Sequence, residues 1–410
     1  MTVSSATAPS LFPPAQGQAL VDLGPALDVA LLGAFVALLC AAGVGWRGRQ
    51  QGLRGWAAWQ RVLTVATLFL TLDLVVFGAF TRLTDSGLGC PDWPGCYGET
   101  SPWQAHDEIS AAHAALPSGP VSLRKAWIEM GHRYLATGVG ALITLLTVRA
   151  WWGRHQPGAL SPWWATATLG WVCAQGAFGA FTVTFKLQPL IVTGHLLGAM
   201  LGVALLTAQV RRMAQRTADV SALAMPLGAR WRRLGWALMA LLGLQLALGA
   251  WVSSNYAVLA CTEWPMCQGQ WWPEMELGPA FTLWRPLGQD GAGGYLSLPA
   301  LTAIHMAHRL MAIVVVLALL AYGLALRRQQ VVVREAGWLC GLTALQVLTG
   351  LSNVVLGWPL AAALLHTLGA ALMVACLTRI LVPAPALIAS AHQGGRAPRQ
   401  GAPWHKVART

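Results

Sequence analysis

The chain has 410 residues, of which 56% are hydrophobic and only 10% are charged. A soluble domain of this size does not carry so few charged residues, so the composition indicates an integral membrane protein. The formal net charge of +12 would suit a nucleic-acid-binding protein, but the positions of the charges exclude that class.

Basic and acidic residues occupy different loops. The basic loops are Arg47–Arg61, Arg211–Arg233 and Arg327–Arg334, and the acidic loops are Asp85–Glu108 and Glu263–Asp290. This alternation follows the positive-inside rule, which places the basic loops in the cytoplasm and the acidic loops outside. The net charge therefore indicates membrane topology.

Residues 1–26 are rich in Pro, Ser and Ala and predict a disordered lead-in. They have neither the basic start nor the early apolar core of a cleavable signal peptide. Nine apolar spans of membrane-crossing length follow. These are Ala26–Val44, Val62–Leu83, Ala126–Ala150, Trp163–Thr184, Leu190–Val210, Gly235–Val252, Pro299–Leu326, Trp338–Leu356 and Ala361–Val382.

The second half of the chain repeats the first. CPDWPGC at Cys90–Cys96 returns as CTEWPMC at Cys261–Cys267, and His132-Arg133 returns as His308-Arg309. Each half holds four spans, an even number, so the two copies have the same orientation in the membrane. We therefore predict an all-α integral membrane protein with two four-helix transmembrane bundles, related by a pseudo-two-fold axis along the membrane normal, plus one extra N-terminal transmembrane helix.

This organisation divides the chain into five parts. They are 1–60, the lead-in with the extra helix and a cytoplasmic loop; 61–210, the first four-helix unit; 211–233, a basic cytoplasmic linker; 234–382, the second four-helix unit; and 383–410, a cytoplasmic tail.

Four of the histidines within the spans stand out, each a few residues from the outer end of its helix: His132, His195, His308 and His366. Two imidazoles on facing helices are the usual scaffold for a six-coordinate haem in a helical bundle. A single histidine of this kind more often makes a hydrogen bond between helices, but the duplication of the pair favours haem. Zinc is less well supported, because no carboxylate or thiol lies near the second histidine of either pair.

Small residues accompany these histidines and would let a flat macrocycle approach the backbone, although they are also ordinary packing surfaces in membranes. They are Gly131, Gly194, Gly198, Ala307 and Gly369.

Glu129 lies one helical turn before His132, on the same face of its helix. Placing an ionisable residue in lipid costs free energy, so Glu129 is a candidate functional residue. The alternative is that Glu129 forms a hydrogen bond between helices. His305 takes the equivalent position in the second half, which makes the two candidate sites chemically unequal. Asp73, within the second span, is either a buried hydrogen-bonded acid or part of a proton path.

Two cysteine pairs, Cys90 with Cys96 and Cys261 with Cys267, lie in the outer, oxidising loops. Structural disulfides are expected there, and a redox role for one of them is the alternative. The remaining cysteines fall within spans and are predicted to be packing residues: Cys40, Cys173, Cys340 and Cys376.

Taken together, these motifs resemble those of the haem A synthases, membrane enzymes that convert haem O to haem A for a-type haem–copper oxidases. The likeness covers residues 61–382. It depends on TRLTDSGLGCPDWPGC from Thr81, E-x-x-H-R at Glu129–Arg133, His308-Arg309, and the single histidines His195 and His366.

The resemblance implies an oxidoreductase that oxidises the C8 methyl group of haem O to a formyl group. Haem O, the substrate, would lie between His132 and His195, and a permanent haem b cofactor between His308 and His366. The family's catalytic carboxylate falls on Glu129, and its cysteine pair on Cys90–Cys96.

The resemblance also implies partners and a location. The partners are haem O, membrane lipid, an electron donor or acceptor and, as a candidate contact, the farnesyltransferase that makes haem O; no nucleic acid is expected. The location is the cytoplasmic membrane, with many crossings.

Two other classes fit some of the same residues. A di-haem cytochrome b would pass electrons between quinol and an outer acceptor, and a transporter with parallel repeats would use the histidine pairs for gating or protons. The inequality of Glu129 and His305 favours an enzyme, since one substrate haem and one cofactor haem require unequal halves.

The span count predicts that residue 1 lies outside and residue 410 lies in the cytoplasm. Reporter fusions at Gln50 and Ala218 should therefore behave as cytoplasmic, and a fusion at His106 as exported. Activity of an export-dependent reporter at Ala218 would contradict this topology.

Overall fold

The structure is a computed structural model that describes residues 21–50, 52, 54–217, 227–287 and 295–382, without the side chains of 214–217. Most of the predicted lead-in, part of the basic linker and the predicted tail lie outside these residues. The described fold is all-helical, as predicted, apart from the two-residue strands β1 (Val21–Asp22) and β2 (Trp93–Pro94), which pair in parallel.

Eleven α-helices occur in the described residues. In chain order they are α1 (Ala26–Gln50), α2 (Trp56–Leu83), α3 (His106–Ala115), α4 (Leu123–Trp152), α5 (Pro162–Thr184), α6 (Pro189–Thr217), α7 (Ala229–Ser254), α8 (Leu277–Ala280), α9 (Leu298–Arg328), α10 (Val333–Val355) and α11 (Leu360–Leu381). The short helices α3 and α8 lie in the two cysteine-containing loops and were not predicted.

Eight of the nine long helices in the described chain are long and apolar enough to cross a membrane. The exception is α5, where Gln175 and several Trp, Thr and Gly residues lower the hydropathy, although the helix has no charged residue. The protein is therefore a multi-pass membrane protein, and the predicted nine crossings are supported for eight helices.

The two helices that carry the His-Arg motifs begin in the same way. Ser122 precedes α4 and accepts a hydrogen bond from the Lys125 N–H at 3.3 Å, and Ser297 precedes α9 and accepts one from the Ala300 N–H at 3.3 Å. Serine side chains at this position satisfy one of the amide groups that a helix N-terminus leaves unpaired.

The contacts between helices follow the sequence repeat. In the first half α4 and α6 each contact both α2 and α5, and in the second half α9 contacts α7 and α10, while α11 also contacts both. The halves meet through α2, α6, α7 and α11. The largest core cluster lies at this junction and includes the fully buried Leu319, Leu339 and Leu377.

Helix α1, the extra span, packs mainly on α4. Its buried stripe is made of Val29, Gly33 and Ala37, spaced four residues apart, while its larger side chains point away. A Cβ on Gly33 would lie only 2.3 Å from Cγ2 of Thr137, so the two backbones approach closely at this point.

The end of the predicted lead-in is ordered rather than disordered. Residues 21–22 pair with β2, and Pro25 packs so closely on the first cysteine loop that a Cβ on Gly95 would lie 2.5 Å from its Cγ. The chain that enters α1 is thus held against the Cys90–Cys96 loop, which explains why this short polar segment is ordered.

The ends of α2 and α7 join the two halves through polar contacts. Arg82 donates a 2.5 Å hydrogen bond to the Ser253 carbonyl and stacks on the Tyr256 ring, with its guanidinium carbon 4.1 Å from the ring centre. The Tyr256 hydroxyl donates to Asp85 at 2.9 Å. These contacts align the two cysteine loops at the same end of the molecule.

We predict that Gly33→Leu destabilises the protein by roughly 1–3 kcal/mol, because the new side chain cannot fit between α1 and Thr137. The matched control is Gly43→Leu in the same helix, where an added Cβ meets nothing within 4 Å. Thermal unfolding of the purified variants measures the difference. Equal midpoints for the two variants would contradict the packing of α1 on α4.

Candidate functional site

The two cysteine loops have the same construction. Both predicted disulfides are present, Cys90–Cys96 and Cys261–Cys267. In the first loop the Asp92 carboxylate accepts hydrogen bonds from the N–H groups of Tyr97 and Gly98, at 2.6 and 2.8 Å. In the second loop Glu263 accepts from the Gly269 N–H. An acid two residues after the first cysteine therefore closes each loop.

The Tyr97 hydroxyl in the first loop is neutral. Burial raises the pKa of the Tyr97 phenol above its ordinary value of 10.0, and the nearby carboxylates of Asp92 and Glu108 raise it further. The group is therefore a neutral phenol throughout the physiological pH range.

Arg133 and Arg309 attach these loops to the helices that carry the histidines. Arg133 donates to the carbonyls of Asp92, Pro94 and Gly95, at 2.8, 3.3 and 2.5 Å. Arg309 donates to the carbonyls of Cys261, Glu263 and Met266, at 3.0, 2.9 and 3.2 Å. This role of the arginines was not predicted, although the repeated His-Arg pair was the signal for it.

Glu129 is buried, with 4% of its surface exposed, and both of its oxygens are hydrogen-bonded. Arg133 donates to Oε1 at 2.5 Å, and the N–H of Cys90 donates to Oε2 at 2.8 Å. None of the hydrogen bonds found in the described residues joins Glu129 to His132. The carboxylate therefore forms a buried ion pair that holds the first cysteine loop on α4.

His305 takes the place of Glu129 in the second half, as the sequence predicted, but makes a different contact. It is also buried, and its Nδ1 lies 3.0 Å from the carbonyl oxygen of Ala257. Among the described residues Arg309 hydrogen-bonds to carbonyls and interacts with the Glu263 carboxylate only through space, whereas Arg133 also hydrogen-bonds to a carboxylate. The two halves differ here by one buried negative charge.

Each of the four predicted histidines packs against a glycine on the neighbouring helix. A Cβ on Gly78 would lie 3.0 Å from Cε1 of His132, and a Cβ on Gly249 would lie 3.0 Å from Cε1 of His308. The corresponding distances are 3.8 Å from Gly179 to His195 and 3.3 Å from Gly350 to His366. These glycines leave space for the imidazole rings where the helices meet. The glycines were not among the residues predicted from the sequence.

The structure brings the histidines together in the predicted pairs. His132 on α4 and His195 on α6 lie close enough to interact electrostatically, and so do His308 on α9 and His366 on α11. Phe77 packs edge-on against the His132 ring, with 6.0 Å between the ring centres.

The small residues expected to admit a macrocycle instead receive side chains from the next helix. Gly131 faces Phe77, and Gly194 faces Phe178. A Cβ on Gly198 would lie 1.9 Å from Nε2 of Gln175, and one on Gly369 would lie 2.2 Å from Nε2 of Gln346. For these four glycines the ordinary packing interpretation is therefore correct.

Two other expectations within the spans are also corrected. Asp73 is exposed on α2 and makes no hydrogen bond in the described part of the chain, so it is not a buried hydrogen-bonded acid. Cys376 is buried in the core as predicted, but Cys173 is exposed and is not a core packing residue.

The two histidine pairs suit a haem iron. A porphyrin supplies four ligands and leaves two axial positions, which two imidazoles on facing helices can fill. No group of three or more His, Cys, Asp or Glu side chains that could hold a metal ion forms within the described residues. A zinc ion would need such a group. The Nδ1 atoms of His132 and His195 are enclosed and lack a hydrogen-bond partner there.

The fold and these sites thus define a multi-pass membrane protein with a repeated, haem-compatible histidine pair. The family model of the COX15-CtaA cytochrome oxidase assembly proteins matches residues 61–378. The chain belongs to this family, which confirms the resemblance drawn from the motifs.

Individual relatives agree over most of their length. The heme A synthase of Shewanella oneidensis is 40% identical over 322 residues, which cover 77% of this chain and 93% of that protein. The heme A synthase of Caulobacter sp. strain K31 is 30% identical over 341 residues, with coverages of 78% and 94%. That of Symbiobacterium thermophilum is 29% identical over 302 residues, with coverages of 71% and 84%.

We predict that Arg133→Gln destabilises the protein by about 3–5 kcal/mol, because it leaves the Glu129 carboxylate buried without its charged partner. The matched variant Arg309→Gln removes hydrogen bonds to carbonyls alone and should cost about 1–3 kcal/mol. Thermal unfolding of the two variants measures the difference. A larger loss for Arg309→Gln would contradict the buried ion pair.

Proposed function

We propose that this protein is a haem A synthase, an oxidoreductase that converts the C8 methyl group of haem O to the formyl group of haem A. The observation that carries the proposal is the pair of histidines in each half, combined with a carboxylate that, within the described residues, is buried beside the histidine helix in the first half alone. Membership of the COX15-CtaA family and the names of the relatives support it.

We further propose that the helices form two four-helix units, 61–210 and 234–382, related by a pseudo-two-fold axis along the membrane normal. Matching contacts support this division: each histidine meets a glycine, each His-Arg arginine binds a cysteine loop, and each loop closes on an acid. Helix α1 then lies outside the repeat and packs against α4 of the first unit.

In this proposal the first unit binds haem O, the substrate, through His132 and His195. The second unit holds haem b through His308 and His366. When bound, haem b would supply one-electron redox chemistry that protein side chains lack. The protein's own residues bind the porphyrins, exclude water with apolar helix faces and place a charge near the substrate.

Glu129 is the proposed catalytic carboxylate. It lies one turn from His132, and its two hydrogen bonds fix both oxygens in the buried ion pair with Arg133. A preorganised negative charge of this kind can stabilise positive charge that develops on the substrate, and the carboxylate can also accept a proton. The competing interpretation is that Glu129 only anchors the cysteine loop.

The proposed location is the cytoplasmic membrane, with residue 1 outside and both cysteine loops on the outer side. The haem sites would then lie in the outer half of the membrane, near the disulfides. Haem O reaches the protein from the membrane, so contact with the farnesyltransferase that makes haem O is part of the proposal.

The function is tested by expressing this chain in cells that make haem O but cannot make haem A. Extraction and mass analysis of the cell haems should then reveal haem A. A correctly inserted, haem-containing protein that leaves all haem O unchanged would contradict the proposal.

We predict that His308→Ala or His366→Ala abolishes the low-spin b-type spectrum of the purified protein, because an iron without one axial ligand is weakly held. The comparison variant His195→Ala should keep that spectrum, since its histidine belongs to the other unit. Unchanged reduced-minus-oxidised spectra in both second-unit variants would contradict the assignment of haem b.

We predict that Glu129→Gln retains haem b and still binds haem O but forms no haem A. The amide oxygen can still accept one hydrogen bond, from the Cys90 N–H or from Arg133, while the charge is lost. The variant should also be less stable than the wild type, because Arg133 loses its charged partner. Porphyrin content and haem A yield are measured together. Near-normal haem A formation would leave Glu129 with only its anchoring role.

A further inference from the structure

The two histidines of the second unit have partners for their Nδ1 atoms. His366 Nδ1 lies 2.9 Å from the hydroxyl oxygen of Thr349. The Thr349 hydroxyl also lies 2.9 Å from the Leu345 carbonyl oxygen, to which it can donate. With its hydrogen placed there, the hydroxyl accepts from the imidazole, which assigns His366 the Nδ1–H tautomer and leaves Nε2 with a free lone pair for a metal.

His308 has a partner of the same kind in Gln245. The side-chain amide nitrogen of Gln245 lies 3.0 Å from His308 Nδ1, 3.5 Å from His308 Nε2 and 3.2 Å from the His308 carbonyl oxygen, to which it donates. Its Oε1 has no hydrogen-bond partner among the described residues. Rotation of the amide by 180° lets Oε1 accept from an Nδ1–H group, as Thr349 can, in exchange for the bond donated to the His308 carbonyl.

The first unit has apolar residues at the two equivalent positions. Gln245 is four residues before Gly249, and Leu74 is four residues before Gly78; the two glycines face His308 and His132. The side chain of leucine can neither donate nor accept a hydrogen bond. The Nδ1 of His132 is accordingly enclosed without a partner in the described chain.

The same replacement occurs at the second histidine. Thr349 immediately precedes Gly350, which faces His366, and Phe178 immediately precedes Gly179, which faces His195. Phe178 packs on Gly194, next to His195. The Nδ1 of His195 is likewise enclosed and unpaired among the described residues.

Gln346 and Gln175 occupy equivalent positions in the two units and do not cause the difference at Nδ1. Gln346 donates to the backbone carbonyl of His366 at 3.0 Å rather than to its ring, and Gln175 packs against Gly198. The two units therefore differ in the side chains next to the histidine Nδ1 atoms, and this difference occurs at both histidines of each pair.

We propose that Gln245 and Thr349 are positioning residues that retain the haem of the second unit, and that Leu74 and Phe178 leave the first-unit histidines unanchored so that haem can exchange there. This inference rests on the proposed function. A hydrogen bond at Nδ1 fixes the tautomer and the ring orientation and makes Nε2 a stronger ligand, and its removal typically weakens metal binding about 10–100-fold. Its absence in the first unit suits a site that must release its product.

The test uses the purified, haem-containing protein with Thr349→Val and Gln245→Leu. Excess apomyoglobin captures released haem, and the loss of the low-spin b-type absorbance gives the release rate. The control is Thr343→Val in the same helix, whose buried hydroxyl donates to the Leu339 carbonyl at 2.7 Å and contacts no histidine. We expect release about 10–100-fold faster in the two test variants and unchanged in the control.

A redox titration gives a second readout. The reduction potential of the b-type haem should become more positive in Thr349→Val and Gln245→Leu, because a less basic imidazole stabilises ferric iron less. In the opposite direction, Leu74→Gln and Phe178→Thr should slow the release of haem O that has been loaded into the first unit.

The outcomes separate this inference from the proposed function. A tight b-type haem that depends on His308 and His366, but whose release rate and potential match wild type in both variants, overturns the positioning role and leaves the function intact. A wild-type protein that binds no haem through His308 and His366 overturns both.

Discussion

The close contact of each histidine with a glycine on the neighbouring helix is the constraint on which the rest of the structure depends. Because Gly78, Gly249, Gly179 and Gly350 have no side chain, the helices approach closely and the imidazoles lie at the helix contacts. His132 also lies close enough to His195, and His308 to His366, for the rings to interact electrostatically. A larger residue at Gly78 or Gly249 would displace the ring, because even a Cβ would lie 3.0 Å from it.

A second set of contacts connects these buried rings to the disulfide loops. Arg133 and Arg309 follow the histidines directly in sequence and point towards the loops, so each loop is attached one residue away from a candidate iron ligand. In the first half Glu129 adds a carboxylate to this attachment, and in the second half His305 does not. The two sites thus share one architecture but differ in charge. Such a difference is expected in a protein that binds a substrate and a cofactor of similar shape.

The sequence predicted the helical membrane fold, the positions of the long helices within a few residues at most ends, and both disulfides. These features are local, or are repeated in the chain, and can be read from apolar periodicity and duplicated motifs. The role of the four histidines as iron ligands stays a prediction. The partners across helices were not predictable. Gly78 is far from His132 in sequence, and the roles of Gln245 and Thr349 depend on which face of one helix meets the next. The sequence left two alternatives open for Asp73 for the same reason, because hydropathy gives the span but not the side that faces inward.

We propose that one chain carries two unequal haem sites, of which the first binds a substrate and the second a cofactor. The decisive measurement is extraction of the porphyrins from the purified wild-type protein, with identification by mass. We expect haem B together with haem O or haem A. Haem B as the sole porphyrin, from cells that make haem O, would contradict it and would favour an electron-transfer cytochrome.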